Sequence, residues 1–142
     1  MTTELQFRAE ILKPRRNVAV LAVDGDVDIY SGPTFKELFL QSIAQGARHV
    51  IVDLTRARSV DSTGLGVLVS GAKRARKGSL SIVCSNEAIT NVFTLVGLDR
   101  IFTMFTSRAA ALAAAASPRL RLPRGAPGQG AGAAPGTTSV PA

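Results

Sequence analysis

Ser59-Val60-Asp61-Ser62-Thr63-Gly64-Leu65-Gly66-Val67-Leu68 stands between two apolar patterns of different period. Upstream, His49-Val50-Ile51-Val52-Asp53-Leu54 is almost continuously apolar, the pattern of a strand buried on both faces. Downstream, Leu65, Leu68, Val69 and Ala72 share one face of a helix predicted over Ser62 to Lys77. The segment is therefore a strand-to-helix junction, and Asp61 or Ser62 can cap the orphan amides of that helix. Gly64, Gly66 and Gly71 fall inside the helix, each costing roughly 1 kcal/mol relative to alanine. Glycines placed there fit a helix packed tightly on a sheet or a bare surface for a partner, and the residues alone leave both readings open.

The same two periods recur on either side. Leu5 to Ile11 alternates apolar and polar residues, as a half-exposed strand does. Lys13-Pro14-Arg15-Arg16 reads as a turn, and Asn17 to Val23 as a buried strand. Ser31-Gly32-Pro33 opens a helix with Pro33 at its first position. Phe35, Leu38, Phe39 and Ile43 give that helix its apolar face, and Gly46 stops it. Ser79 to Cys84 is a third buried strand. Asn86 caps a helix carrying Ile89, Val92, Phe93 and Val96 that ends at Gly97. Ile101 to Phe105 is a short last strand, and Ser107 caps an alanine-rich helix from Arg108 to Ala116. The order β-β-α-β-α-β-α-β-α predicts an α/β layer fold with mainly parallel strands.

A domain boundary is expected at residue 116. Residues 117–142 contain five prolines and five glycines, no acid and no aromatic, so they cannot bury enough apolar area to offset ordering entropy. They read as a disordered tail. The formal net charge is +7, of which +4 belongs to residues 1–116 and +3 to the tail arginines Arg119, Arg121 and Arg124. A body charge of +4, no Trp and a single Tyr argue against direct DNA binding. Lys73-Arg74-Ala75-Arg76-Lys77 reads as a solvated last helical turn favoured by the helix dipole. No apolar run has the length of a membrane span or a signal peptide, and Cys84 has no second cysteine to pair with, so a cytoplasmic location is expected.

Enzyme signatures fail one by one. There is no G-x-S-x-G, Walker A or C-x-x-C pattern, and Gly64-Leu65-Gly66 lacks the third glycine of a dinucleotide fingerprint, where Val69 stands. His49 is the only histidine and has no local carboxylate to orient it. Asp24, Asp26 and Asp28 resemble half a calcium loop without its remaining ligands, so they read as a polar turn leaving a strand. No metal or cofactor is expected. What remains is the hydroxyl of Ser62 at a helix start. A phosphate ester there would sit beside unpaired N–H groups and the positive end of the dipole. The fold would tolerate it, and the added charge of about −1.5 to −2 would act on whatever docks.

Gly25-Asp26-Val27-Asp28, Val50-Ile51-Val52-Asp53-Leu54, Val60 to Leu68, Leu80 to Cys84 and Val96-Gly97-Leu98-Asp99-Arg100-Ile101-Phe102, in that order, resemble the STAS domain of bacterial anti-anti-sigma factors. The resemblance covers roughly residues 5–116; the Pro/Gly tail falls outside it, and the loop Lys77-Gly78-Ser79 is slightly short. It implies a small mixed sheet with helices packed mostly on one side. It implies an anti-sigma factor antagonist, not an enzyme, whose unphosphorylated form binds an anti-sigma factor that is also a serine kinase and so frees a sigma factor. Phosphorylation of the serine matching Ser62 switches binding off, and a PP2C-type phosphatase restores it. The positions matching the partner surface are Asp28, Asp61, Ser62, Thr63, Gly64, Leu65 and Gly66. Two other roles stay open for this fold: a scaffold subunit of a stress-signalling complex, and a nucleotide-binding protein, although no phosphate loop is present.

Overall fold

The computed structural model describes residues 7–75 and 79–116. The tail expected over residues 117–142, the start of the first strand and the end of the basic run lie outside the described residues.

Five strands form one sheet: β1 (Phe7–Arg15), β2 (Val18–Val27), β3 (His49–Val60), β4 (Leu80–Val83) and β5 (Thr103–Phe105). Four helices connect or follow them: α1 (Gly32–Ala44), α2 (Ser62–Arg74), α3 (Glu87–Leu95) and α4 (Arg108–Ala116), with a 3-10 turn at Leu98–Arg100. Strand order follows chain order, β1-β2-β3-β4-β5. The β1–β2 hairpin is antiparallel and every later pairing is parallel. The α/β class and the mainly parallel sheet expected from the periodicity are both present.

The topology explains where the helices lie. From β2 to β5 each strand is added beside the last, and crossovers of one hand then deliver every connecting helix to the same face. Phe35 and Phe39 of α1, Leu68 of α2 and Ile89 and Phe93 of α3 share one core with Leu21, Val50, Val52, Leu54 and Ile82. Burial of each of these large side chains contributes roughly 1.5–3 kcal/mol. Helix α4 follows the last strand and folds onto the opposite face, where Ala111 meets Val18, Val20, Ile51 and Val83.

Several boundaries differ from the sequence reading, each for a local reason. β1 runs through Pro14, because an edge strand does not need that residue's N–H; a register irregularity between Leu12 and Arg15 absorbs it. β2 does not end at Val23. It continues through Asp24 and Asp26 to Val27, while β3 continues beside it to Val60. The two acids that looked like a turn are matched across the strands: Arg56 lies 3.7 Å from Asp24, and Arg58 3.2 Å from Asp26. In α1 the first helical residue is Gly32, with Pro33 second. Gly46 and Gly97 end α1 and α3 at φ 82° and 80°, the left-handed geometry that favours glycine. Asn86 and Ser107 cap α3 and α4 as expected: Asn86 Oδ1 accepts from the Ala88 amide at 2.9 Å and Ser107 Oγ from the Ala110 amide at 3.1 Å.

Candidate functional site

β3 hands over to α2 at one residue. Asp61 has extended backbone angles and is the N-cap; its Oδ1 accepts from the amides of Thr63 at 2.8 Å and Gly64 at 3.2 Å. The choice left open between Asp61 and Ser62 is settled by these bonds. Ser62 is the first residue of the helix and is exposed. Since the Asp61 carboxylate already satisfies two first-turn amides, the Ser62 hydroxyl is not needed to hold the helix.

The next turn separates three glycines by what surrounds them. A methyl group on Gly64 would lie 2.6 Å from a Val27 methyl and 2.9 Å from one of Val60. A methyl on Gly71 would enter the ring of Phe39. Both are buried, and their missing side chains let α2 sit directly on β2, β3 and α1. Gly66 is exposed, with nothing within 4 Å of the place its methyl would take. Close approach therefore accounts for Gly64 and Gly71, whereas Gly66 leaves bare helix on the outward face.

The loop between β2 and α1 lies against the same helix start. The Asp61 amide donates to the Val27 carbonyl at 3.0 Å, and a methyl on Gly32 would come within 2.8 Å of Thr63 Cγ2. Asp28 organises this loop. Its Oδ1 accepts from the amides of Tyr30 at 2.9 Å and Ser31 at 3.0 Å, while its own amide donates to Ser31 Oγ at 2.9 Å. Ser31 Oγ donates in turn to the Asp26 carbonyl at 2.7 Å, so the hydroxyl expected to start α1 holds the loop instead of a helix amide. Hydrogen bonding from the Ser31 amide, and then from Tyr30, holds the Asp28 carboxyl below its ordinary value, so it is charged at neutral pH.

Asp28, Asp61, Ser62, Thr63, Leu65 and Gly66 are thus gathered at the edge of the sheet where the parallel strands end. Asp61, Ser62 and Gly66 are exposed, Asp28, Thr63 and Leu65 half-buried, and Gly64 buried beneath them. Two residues absent from the sequence reading belong to this edge. Ile29 is 60% exposed and Tyr30, the only tyrosine, 87%. The available signal was an apolar pair inside a turn framed by Asp28 and Ser31, where polar residues are usual.

Other features bear on the alternatives. Among the described residues no group of three or more His, Cys, Asp or Glu could hold a metal ion, and no helix is long and apolar enough to cross a membrane. A cleft of about 310 Å³ carries Arg48 and Arg74, but it lies at the C-terminal ends of α1 and α2, where the helix dipoles oppose a phosphate.

The STAS domain family model matches residues 11–111. The chain belongs to the STAS domain family. Among relatives of this STAS protein, the anti-sigma-B factor antagonist of Bacillus subtilis is 33% identical over 92 residues, covering 63% of this chain and 84% of the relative. The crystal structure of an anti-sigma factor antagonist from Mycobacterium paratuberculosis superposes with a TM-score of 0.71 at 22% identity, covering 76% of this chain and 92% of that one. The phosphorylated form of Bacillus SpoIIAA superposes with a TM-score of 0.58 at 18% identity, covering 76% and 99%. Both structural likenesses are of fold.

Proposed function

We propose that this STAS protein is an anti-sigma factor antagonist: unphosphorylated, it binds an anti-sigma factor with serine-kinase activity and frees a sigma factor, and phosphorylation of Ser62 ends the complex. A PP2C-type phosphatase then returns it to the binding form. In this reading the chain is a binding protein and not an enzyme. The observation that carries the reading is the exposed Ser62 hydroxyl at the first position of a helix whose cap is already filled by Asp61. The naming of the Bacillus subtilis relative as an anti-sigma-B factor antagonist supports it, as does a phosphorylated SpoIIAA of the same fold.

The physical basis is electrostatic and steric. The kinase must bring the γ-phosphoryl group of ATP to Ser62 Oγ, so its phosphate-bearing site faces this edge in the complex. After transfer, a charge of about −1.5 to −2 stands on Ser62 beside Asp28 and Asp61. The new group is strongly hydrated, and keeping it under a docked protein costs desolvation as well as repulsion from the bound nucleotide. The fold is not disturbed, because the positive end of the α2 dipole favours the added charge. The test uses Ser62→Ala and Ser62→Glu with the purified anti-sigma factor. Ser62→Ala is expected to bind like the unmodified protein and to resist phosphorylation, and Ser62→Glu to bind at least about tenfold more weakly. Equal binding by the two variants rejects the switch.

A further inference from the structure

Among the described residues, large exposed apolar side chains gather in two places. Ile29 and Tyr30 lie in the β2–α1 loop, whose Gly32 meets Thr63 of the helix that Ser62 begins; Leu95, Val96 and Ile101 stand at the other end of the sheet, before β5 begins. We propose that Tyr30, with Ile29, is the apolar anchor that seats the anti-sigma factor, separate from the hydroxyl that releases it; this rests on the function proposed above. Three observations carry it. Tyr30 is 87% exposed, and its amide is held by the Asp28 carboxylate, so the backbone that carries the ring is already ordered and only the side chain has to be immobilised on docking. The loop is continuous with the Ser62 edge through Gly32 against Thr63. Asp28–Thr34 and Asp61–Gly66 hold two aspartates and no Lys or Arg, in a chain of net charge +7. A second copy of this chain docking through the same patch about a two-fold axis would set these carboxylates against their own kind. The occupant that fits is an apolar pocket with a cationic rim on the anti-sigma factor, engaging an exposed tyrosine of the kind that dominates protein interfaces.

The experiment measures affinity of the full-length chain for each purified anti-sigma factor encoded in the same genome, by calorimetry. Tyr30→Ala is expected to weaken the complex at least about tenfold, Tyr30→Phe to stay within about twofold, and Leu95→Ala, at the far patch, to stay within about twofold. The expected result also includes an unchanged circular dichroism spectrum for Tyr30→Ala, since the amide that meets Asp28 is retained. If the unmodified chain binds and Tyr30→Ala binds equally well, or Leu95→Ala causes the larger loss, the anchor is refuted while the antagonist reading stands. If sedimentation shows that Tyr30→Ala abolishes a dimer instead, the anchor serves self-association and the proposal is overturned. If the unmodified chain binds none of the anti-sigma factors, both readings fall together.

Discussion

The two faces of the sheet are covered by different means. On the α1–α3 face, Phe35, Phe39 and Phe93 are fully buried, and α2 approaches so closely that two of its residues must be glycine. Phe35 and Phe39 stack with ring centroids 6.0 Å apart and planes 7° apart. On the other face, α4 has seven alanines among nine residues and buries only Ala111 completely. Its attachment is supplemented by polar contacts: Arg108 Nε donates to Asp53 Oδ2 at 2.7 Å, and Arg15 Nη1 to the Leu112 carbonyl at 3.1 Å. Shape complementarity holds the face that supports the candidate switch, and a half-exposed ion pair helps to hold the face behind it. A rigid first face keeps the Ser62 edge preformed for docking, without a folding cost at binding.

The strongest way to break this contrast is to attack the tightest contact. Phe39→Ala is expected to cost about 3–5 kcal/mol, read from urea unfolding. Gly71→Ala alone is expected to cost about 2 kcal/mol, because overpacking against the Phe39 ring outweighs the roughly 1 kcal/mol gain in helix propensity. In the Phe39→Ala background the ring is gone and the same Gly71→Ala change reverses sign, restoring about 1 kcal/mol. Additive costs would show that Gly71 is glycine for some reason other than Phe39.

A smaller effect is expected on the second face, and it depends on pH. Asp53 is buried in β3, and burial alone would raise its pKa. Hydrogen bonds from the Thr55 hydroxyl and amide, and from Arg108, outweigh that and hold the carboxyl below its ordinary value. A carboxyl with a lower pKa folded than unfolded adds stability at neutral pH, and that stability is lost as pH falls from about 5 through the folded pKa. Arg108→Ala is therefore expected to cost about 1–2 kcal/mol at pH 7, less than a fully buried pair, because the Arg108 side chain is 41% exposed and water screens it. The difference from the unmodified chain should shrink as Asp53 protonates, measured by urea unfolding at pH 7, 5 and 3. A pH-independent loss would mean that Arg108 acts through packing alone.

The two faces were unequally legible in the sequence. The first is written in local period: Phe35, Phe39, Leu68, Ile89 and Phe93 all fall on predicted helical faces, and the continuous apolar runs at residues 17–23 and 49–54 gave the central strands. The second depends on a meeting between residues 55 positions apart, Asp53 and Arg108, which no local pattern records. The extensions of β2 and β3 were hidden for a related reason. Asp24 and Asp26 look like turn residues until Arg56 and Arg58 are placed opposite them. At the candidate site, helix-start chemistry gave a polar cap and the Ser62 hydroxyl beside it, but it left the cap open between Asp61 and Ser62, which only the bonds from the Thr63 and Gly64 amides decide. Of the three acids read as a polar turn, Asp28 alone keeps that role, its carboxylate closing the loop onto the amides of Tyr30 and Ser31.

The smallest expected effect separates the buried face of α2 from its outward one. Gly66 lies in the same helix as Gly71, five residues earlier, yet its methyl would meet nothing within 4 Å. Gly66→Ala is therefore expected to stabilise the chain by about 1 kcal/mol, raising its melting temperature by a few degrees. It is the same substitution as Gly71→Ala with the opposite sign, so the pair isolates packing from propensity within one helix. A residue that weakens its own helix without relieving any internal contact needs a reason outside the fold, and it stands one turn from Ser62. The accompanying expectation is weaker anti-sigma factor binding by Gly66→Ala despite the greater stability, measured by calorimetry on the same samples. A gain in stability with unchanged affinity would confine the partner's footprint to the Ser62 and Tyr30 side of the helix start. A loss of stability would show instead that the outward face of α2 is packed as tightly as the inward one, and the contrast between them would fail.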